Sequence, residues 1–329
     1  QAYETTVESL KTAIKEHYKQ DADEIIDKIF YKNADELFFE KNWAKDIPIE
    51  STIKKMSKTK GNGTDPLDAV EKFGADAVRY WVATAPIGTD LRYSEDEVKR
   101  GSKLLTKLWN VSKYVLMNLS DFDPNSAKKI PVSERFIEDR WVLNELNKTI
   151  EETRRNLDKY DNYNSRSTID TFFWDVLCDQ YVEFIKDRFW TPEKYSEESK
   201  LSAQWTLYTV LRTVIGLYAP FIPFITEELW QKIYRQTEQV ETLHLTKYPE
   251  INAEYNTNVS EMSEALNILK VVRGLRTERK IGNGAKLKKL IIPADTDTKL
   301  YGLIKSAARA EEIVLGQDID FIVAEQNKE

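Results

Sequence analysis

Residues 207–230, LYTVLRTVIGLYAPFIPFITEELW, decide the fold class. Leu207, Val210, Leu211, Val214, Ile215 and Tyr218 recur at the spacing that puts them on one stripe of a 3.6-residue helix. Thr226 followed by Glu227 and Glu228 then reads as the start of the next helix, with acid in its first turn. Working toward the N-terminus, Phe173, Leu177, Tyr181 and Phe184 form an aromatic-rich run. Leu104, Leu108, Val111, Val115 and Leu119 make a further stripe. Polar breaks separate these periods at Asp121–Ser133, Lys159–Ser167 and Thr191–Ser199. Long amphipathic helices joined by such breaks predict an antiparallel bundle.

The flanks change character. Residues 1–50 are rich in Lys, Glu and Asp with loosely spaced apolar residues, and read as a helical segment. Residues 51–66, STIKKMSKTKGNGTDP, read as a lysine-rich exposed loop punctuated by Gly and Pro. A helix is expected to follow, with Asp65 as cap and Pro66 at its first position. Beyond the bundle, Tyr248–Thr257 reads as a linker and 260–280 as a helix. After the Gly282–Gly284 turn come a strand at Lys289–Ala294, a helix at Lys299–Ala310 and a strand at Asp318–Ala324. The expected architecture is mainly α: an N-terminal segment (1–50), a connector carrying the loop (51–98), an antiparallel helical bundle (99–255) and a small C-terminal α/β module (256–329).

Composition bounds the function. Hydrophobic residues at 41% and 13 Phe, 8 Trp and 16 Tyr supply too much core for a disordered chain. No apolar run approaches the roughly 20 residues of a membrane helix. A lone cysteine, Cys178, excludes a disulfide framework and a cysteine metal cluster, and His17 and His244 sit in no metal or triad pattern, so no metal ligand is assigned. The expectation is a soluble intracellular protein, and Gln1 reads as a cut edge. With 48 Lys and Arg against 55 Asp and Glu, the net charge of −7 opposes global attraction to nucleic acid. A local basic face remains open, because a phosphate senses charge within about 10 Å.

The loop holds the most informative chemistry. Lys55, Met56, Ser57, Lys58 and Thr59 set two ammonium groups around a hydroxyl, with Lys60 and Gly61 next. Flexible lysines can reach a polyphosphate, and such charges suit a leaving pyrophosphate. A second candidate is the helix around 264–280, where Arg273, Arg276 and Arg279 recur three residues apart, followed by Lys280, Lys286, Lys288 and Lys289. Such a tract can follow a phosphate backbone. In the bundle, Arg154 and Arg155, and then Lys186, Arg188 and Trp190 near a helix end, offer charge and a stacking face to RNA bases. Cys178 reads as a small buried apolar group.

Several ordered motifs carry a resemblance. Lys55–Asn62, then Asp65-Pro66, then Gly74-Ala75-Asp76-Ala77-Val78-Arg79-Tyr80 resemble the KMSKS loop and following segment of class I aminoacyl-tRNA synthetases, with Thr59 for the usual Ser and Phe73 for the usual Tyr. Asp139-Arg140-Trp141-Val142-Leu143 resembles the family's DRWIL, and Ala219–Trp230 resembles its HPFMPFITEELW. Residues 106–112, TKLWNVS, and 172–181, FFWDVLCDQY, look most like the valyl branch; isoleucyl enzymes share the architecture but differ in both stretches. The resemblance covers roughly residues 50–285.

The resemblance implies an ATP-dependent ligase of valine and its tRNA, cytoplasmic and monomeric, with Mg²⁺ accompanying the ATP. Lys58 would stabilise the ATP phosphates with help from Lys55, while Met56, Ser57 and Thr59 shape the loop. The bundle would be the anticodon-binding domain. No HIGH-like tetrapeptide accompanies these motifs. In this class that element faces the KMSKS lysines across the ATP, so the chain is expected to be a C-terminal part, inactive alone. An isoleucyl fragment, or a non-catalytic tRNA-binding protein derived from a synthetase, is the alternative.

Overall fold

The computed structural model describes residues 65–324 except Arg92, together with Thr12 and Lys15. The expected N-terminal segment and the lysine loop, including Lys55, Met56, Ser57, Lys58 and Thr59, lie outside the described residues. The chain divides into two units, residues 1–69 and 70–329, and the architecture below is that of the second, entered through a helix that begins in the last residues of the first.

Helix α1 (Pro66–Phe73) begins as its sequence dictates: Asp65 Oδ1 accepts the Leu67 N–H at 2.9 Å, and proline occupies the first helical position. Gly74, at φ 86°, turns the chain through the left-handed region into α2 (Ala75–Val82). The long α3 (Glu95–Asn118) opens with Glu95, Asp96 and Glu97 at its positive end. Its stripe of Leu104, Leu108, Val111 and Val115, with Leu119 just beyond, is buried. Each such side chain contributes about 1.5–3 kcal/mol when fully withdrawn from water.

The bundle continues through α4 (Ile137–Leu157), α5 (Asn162–Thr171), a π-helical stretch (Phe172–Tyr181), α6 (Val182–Trp190), α7 (Glu197–Tyr218), α8 (Pro223–Ile233) and the short α9 (Arg235–Glu238). From Asn162 to Trp190 the helix is unbroken, and Phe173, Leu177, Tyr181 and Phe184 are all buried along it. The α7 stripe from Leu207 to Tyr218 is buried in the same core.

Two expectations need correction here. The polar stretch Lys159–Ser167 is mostly helix. The chain turns at Tyr160, with φ 58°, and Asp161 caps α5 by accepting the Asn164 N–H at 3.0 Å. The α8 helix starts at Pro223, not near Thr226, because proline needs no N–H partner at a helix's first turn.

After α10 (Met262–Glu278) come β1 (Leu287–Pro293), a 3₁₀ turn at Thr298–Leu300, α11 (Tyr301–Ala307), β2 (Ala310–Gly316) and β3 (Asp320–Val323). The sheet order is β2-β1-β3, with β1 parallel to β2 and antiparallel to β3. The helix expected to run to Ala310 ends at Ala307, and β2 is a strand that the sequence reading missed. Its Glu311-Glu312 start carries no strand alternation. What makes it a strand is its central partner: Ile291 pairs with Val314, and Lys289 with Glu312. Leu290, Ile292, Leu300, Ile304 and Phe321 join the bundle core.

Candidate nucleic-acid interface

Two polar networks fix the two ends of the bundle. At one end Asp139, fully buried on α4, accepts from the Tyr181 hydroxyl at 2.7 Å, from an Arg188 nitrogen at 2.8 Å and from the Ser202 hydroxyl at 2.6 Å. One carboxylate thus ties α4 to the π stretch, α6 and α7. The other terminal nitrogen of Arg188 meets Glu138, and its guanidinium lies 4.6 Å from the Phe136 ring. Burial pushes the Glu138 carboxyl and the Tyr181 phenol upward. Taking three ionisable groups, Glu138, Asp139 and Arg188, out of water is costly unless hydrogen bonds close the shell, and Arg188 bonds both carboxylates while Tyr181 and Ser202 complete that of Asp139.

At the other end, α2 grips the corner between α7 and α8. Asp76 accepts the N–H groups of Phe224 at 3.2 Å and Ile225 at 2.7 Å, satisfying orphan donors of the first turn of α8. Arg79 donates to the carbonyls of Pro220 at 2.8 Å and Phe221 at 3.3 Å. Behind this clamp Asp170 accepts from the hydroxyls of Tyr80 at 2.6 Å and Tyr218 at 2.7 Å. Arg166 pairs with Asp170 and donates to Tyr80 Oη and the Ala83 carbonyl. Burial raises the Asp170 carboxyl against the pull of Arg166 and both phenols. Residues 74–80 and 219–230, distant in sequence, are therefore one joint.

The networks are well separated. Ser202 and Tyr218 mark the two ends on α7, and that length of helix spans roughly 24 Å at about 1.5 Å per residue. The candidate RNA-facing residues sort onto this frame. Lys186 and Trp190 lie at the Asp139 end: Trp190 is 62% exposed, with the Lys186 ammonium 5.6 Å from its ring, and Lys186 also pairs with Glu183. Arg154 and Arg155 lie near the opposite terminus of α4. Arg154 donates to the Pro249 carbonyl at 3.0 Å, and the exposed Arg155 pairs with Glu152.

Arg188 is not a surface residue. It is 1% exposed, held by Glu138 and Asp139, so its charge serves the core. The Arg273, Arg276 and Arg279 series is likewise not one face. Arg273 is exposed and donates to the Asp179 carbonyl at 3.1 Å. Arg276 points inward, bonded to the carbonyls of Gly282, Ala285 and Ala308. Arg279 is paired with Asp320 at 2.6 Å and lies over the Phe321 ring.

The sequence reading missed the architectural roles of Asp76, Asp139, Arg166 and Asp170. For Asp76, Asp139 and Asp170 the signal is a carboxylate beside apolar residues (Ala77-Val78, Trp141-Val142-Leu143 and Phe172-Phe173-Trp174), whereas Arg166, in the polar stretch NYNSRSTIDT, carries none. Among the described residues, no group of three or more His, Cys, Asp or Glu could hold a metal, and no helix is long and apolar enough to cross a membrane.

Comparison with known families agrees with this frame. Residues 139–291 match the anticodon-binding domain of tRNA ligase, and residues 35–94 match the class I tRNA synthetases (I, L, M and V). The chain belongs to the class I aminoacyl-tRNA synthetase family. Within that family its similar relatives are valine–tRNA ligases. The protein of Rickettsia conorii is 33% identical over 264 residues, 79% of this chain and 32% of that protein. That of Carboxydothermus hydrogenoformans is 32% identical over 282 residues, 82% of this chain and 31% of the relative. That of Thermotoga maritima is 35% identical over 263 residues, 79% and 29%. The chain therefore spans about a third of the length of the curated relatives it matches. A solved ternary complex of LeuRS from Agrobacterium radiobacter K84 with tRNA and LeuAMS has a TM-score of 0.44 and 16% identity, covering 83% of this chain and 32% of that one.

Proposed function

We propose that this chain is the C-terminal part of a valine–tRNA ligase, in which the bundle binds the anticodon region of a valine-accepting tRNA and residues 55–59 serve the ATP. The observation that carries this is the alignment of about four-fifths of the chain with valine–tRNA ligases of three distant bacteria. The frame supports it physically. The segment following the lysine loop docks at the Asp170 end, and the exposed Trp190 stands at the opposite end, where a nucleic acid could engage both only by spanning the bundle.

In this reading Lys58, assisted by Lys55, neutralises the charge that builds on the leaving pyrophosphate, and Met56, Ser57 and Thr59 shape the loop. ATP is a substrate and arrives with Mg²⁺. Trp190 offers a face for an unstacked base, with Lys186 beside it for the phosphate, and Arg154, Arg155 and Arg273 lie within reach of the backbone. The division into 1–50, 51–98, 99–255 and 256–329 belongs to the proposal, as do a monomeric state and a cytoplasmic setting.

The test is titration of the chain with valine tRNA, isoleucine tRNA and a valine tRNA of altered anticodon at two salt concentrations. Preference for the first that disappears with the altered anticodon is the expected result. Equal binding to all three would remove the bundle's role as reader.

A further inference from the structure

The turn after α10 is held by positive charge without a counter-ion. Arg276, 3% exposed, donates to the carbonyls of Gly282 at 2.9 Å, Ala285 at 3.0 Å and Ala308 at 3.0 Å. The exposed Arg309 donates to the Gly284 carbonyl at 3.3 Å. Neither guanidinium has an ion-pair partner among the described residues, and burial together with the nearby charge of Arg309 pulls Arg276 below its ordinary value. Lys280, Lys286 and Lys288 surround the same turn, exposed and likewise without ion pairs among the described residues. Three of the neighbouring acids are committed elsewhere, Asp320 to Arg279, Glu312 to Lys289 and Asp187 to the Ser306 hydroxyl, while Glu278 and Glu311 are exposed beside the cluster and leave it in net positive excess.

Backbone conformation singles out two of these cations. Lys280, φ 55°, and Arg309, φ 53°, both sit in the left-handed region just past the ends of α10 and α11. Glycine is the usual residue there, and a side chain costs about 1–2 kcal/mol. A cation near a helix C-terminus returns about 0.3–1 kcal/mol. The balance leaves both positions strained, a cost that a task for the two side chains would account for. Arg276 brings the two positions together, since it bonds the carbonyl of Ala308, next to Arg309. One turn before Arg309, Ser306 donates to Asp187 at 2.7 Å, between Lys186 and Trp190. The cluster thus adjoins the Trp190 ledge.

We propose that Lys280, Lys286, Lys288 and Arg309, set on the buried Arg276, bind the phosphodiester backbone of RNA beside the Lys186–Trp190 ledge. This rests on the reading of the chain as a tRNA binder, and it assigns the sequence-independent part of that binding to these cations. The series Arg273, Arg276 and Arg279, which the sequence also puts forward, supplies less of it, because Arg276 is buried and the exposed Arg279 is already paired with Asp320.

The experiment compares the parent with the triple variant Lys280→Gly, Lys286→Gln, Lys288→Gln on a valine tRNA transcript and an unrelated tRNA across a salt series. Affinity should fall at least about tenfold at low salt, by the same factor for both RNAs. The slope of log affinity against log salt should become shallower by about 2, as three phosphate contacts are lost. Lys280→Gly alone should leave the thermal midpoint unchanged or raised, because glycine suits that conformation, while still weakening binding. Equal slopes and affinities in parent and variant would overturn the proposal and leave tRNA binding standing. A loss confined to the valine tRNA would overturn it too, since that is base reading. A parent that binds neither RNA would overturn both.

Discussion

Asp139 shows how one residue on the buried face of an amphipathic helix can organise a bundle. Its carboxylate collects Tyr181, Arg188 and Ser202, and Arg188 in turn answers Glu138. Asp139→Ala should cost about 3–5 kcal/mol in urea unfolding, because the change strands a buried guanidinium as well as two hydroxyls. A loss under about 1 kcal/mol would mean water or Glu138 replaces the carboxylate. Cys178 illustrates the opposite case. Burial pushes its thiol up to about 12, with Lys107 too weak to hold it down. The native protein should resist iodoacetamide near neutral pH and react only on unfolding, because the thiolate is the nucleophile. Rapid native-state alkylation would show that the aromatic helix opens.

At the scale of elements, caps and paired strands matter more than propensity. Asp76→Ala should destabilise by about 1–2 kcal/mol by uncapping α8 from across the joint, while Asp76→Asn should keep most of that stability. Equal losses in the two variants would place the effect on charge instead. Glu227 joins α8 to the following loop by accepting from Gln231, Thr242 Oγ1 and the Leu243 N–H. Burial works to raise its carboxyl, but these bonds outweigh it, and the folded value lies below the ordinary 4.5. In that window the unfolded chain binds more protons, so stability is complete above 4.5 and is lost as pH falls through the folded value. The stability gap between parent and Glu227→Gln should therefore be widest near neutral pH and close in acid; a gap independent of pH would assign it to shape alone. The helices themselves are legible in the sequence, because their apolar stripes keep one period and each stripe is buried where the period puts it. Strand β2 is not legible, since its identity comes from β1 beside it. Nor is the fate of the arginine series: residues at i, i+3 and i+6 fan about 60° apart around the axis, and spacing does not say that the middle one faces the core. The burial of Arg188 is not legible either, because its partners Glu138 and Asp139 lie on another helix.

For the whole molecule, binding and catalysis should separate. The chain carries a net charge of −7, so the tRNA binding proposed for it must come from local clusters, and salt should weaken it steeply. In the proposed function the lysines of residues 55–59 serve one side of ATP, and the sequence has no HIGH-like element for the other. Removing one half of such a clamp forfeits the preorganised charge stabilisation that dominates phosphoryl and adenylyl chemistry, and positioning with it. The chain is thus expected to retain tRNA while showing no valine-dependent exchange of pyrophosphate into ATP. Lysine-loop variants such as Lys58→Ala should then leave tRNA affinity within about twofold, because the proposed task of these lysines is with the nucleotide and not with the tRNA. Exchange above background that disappears with Lys58→Ala would overturn this, and would mean that residues 1–50 or the loop itself supply the missing contacts.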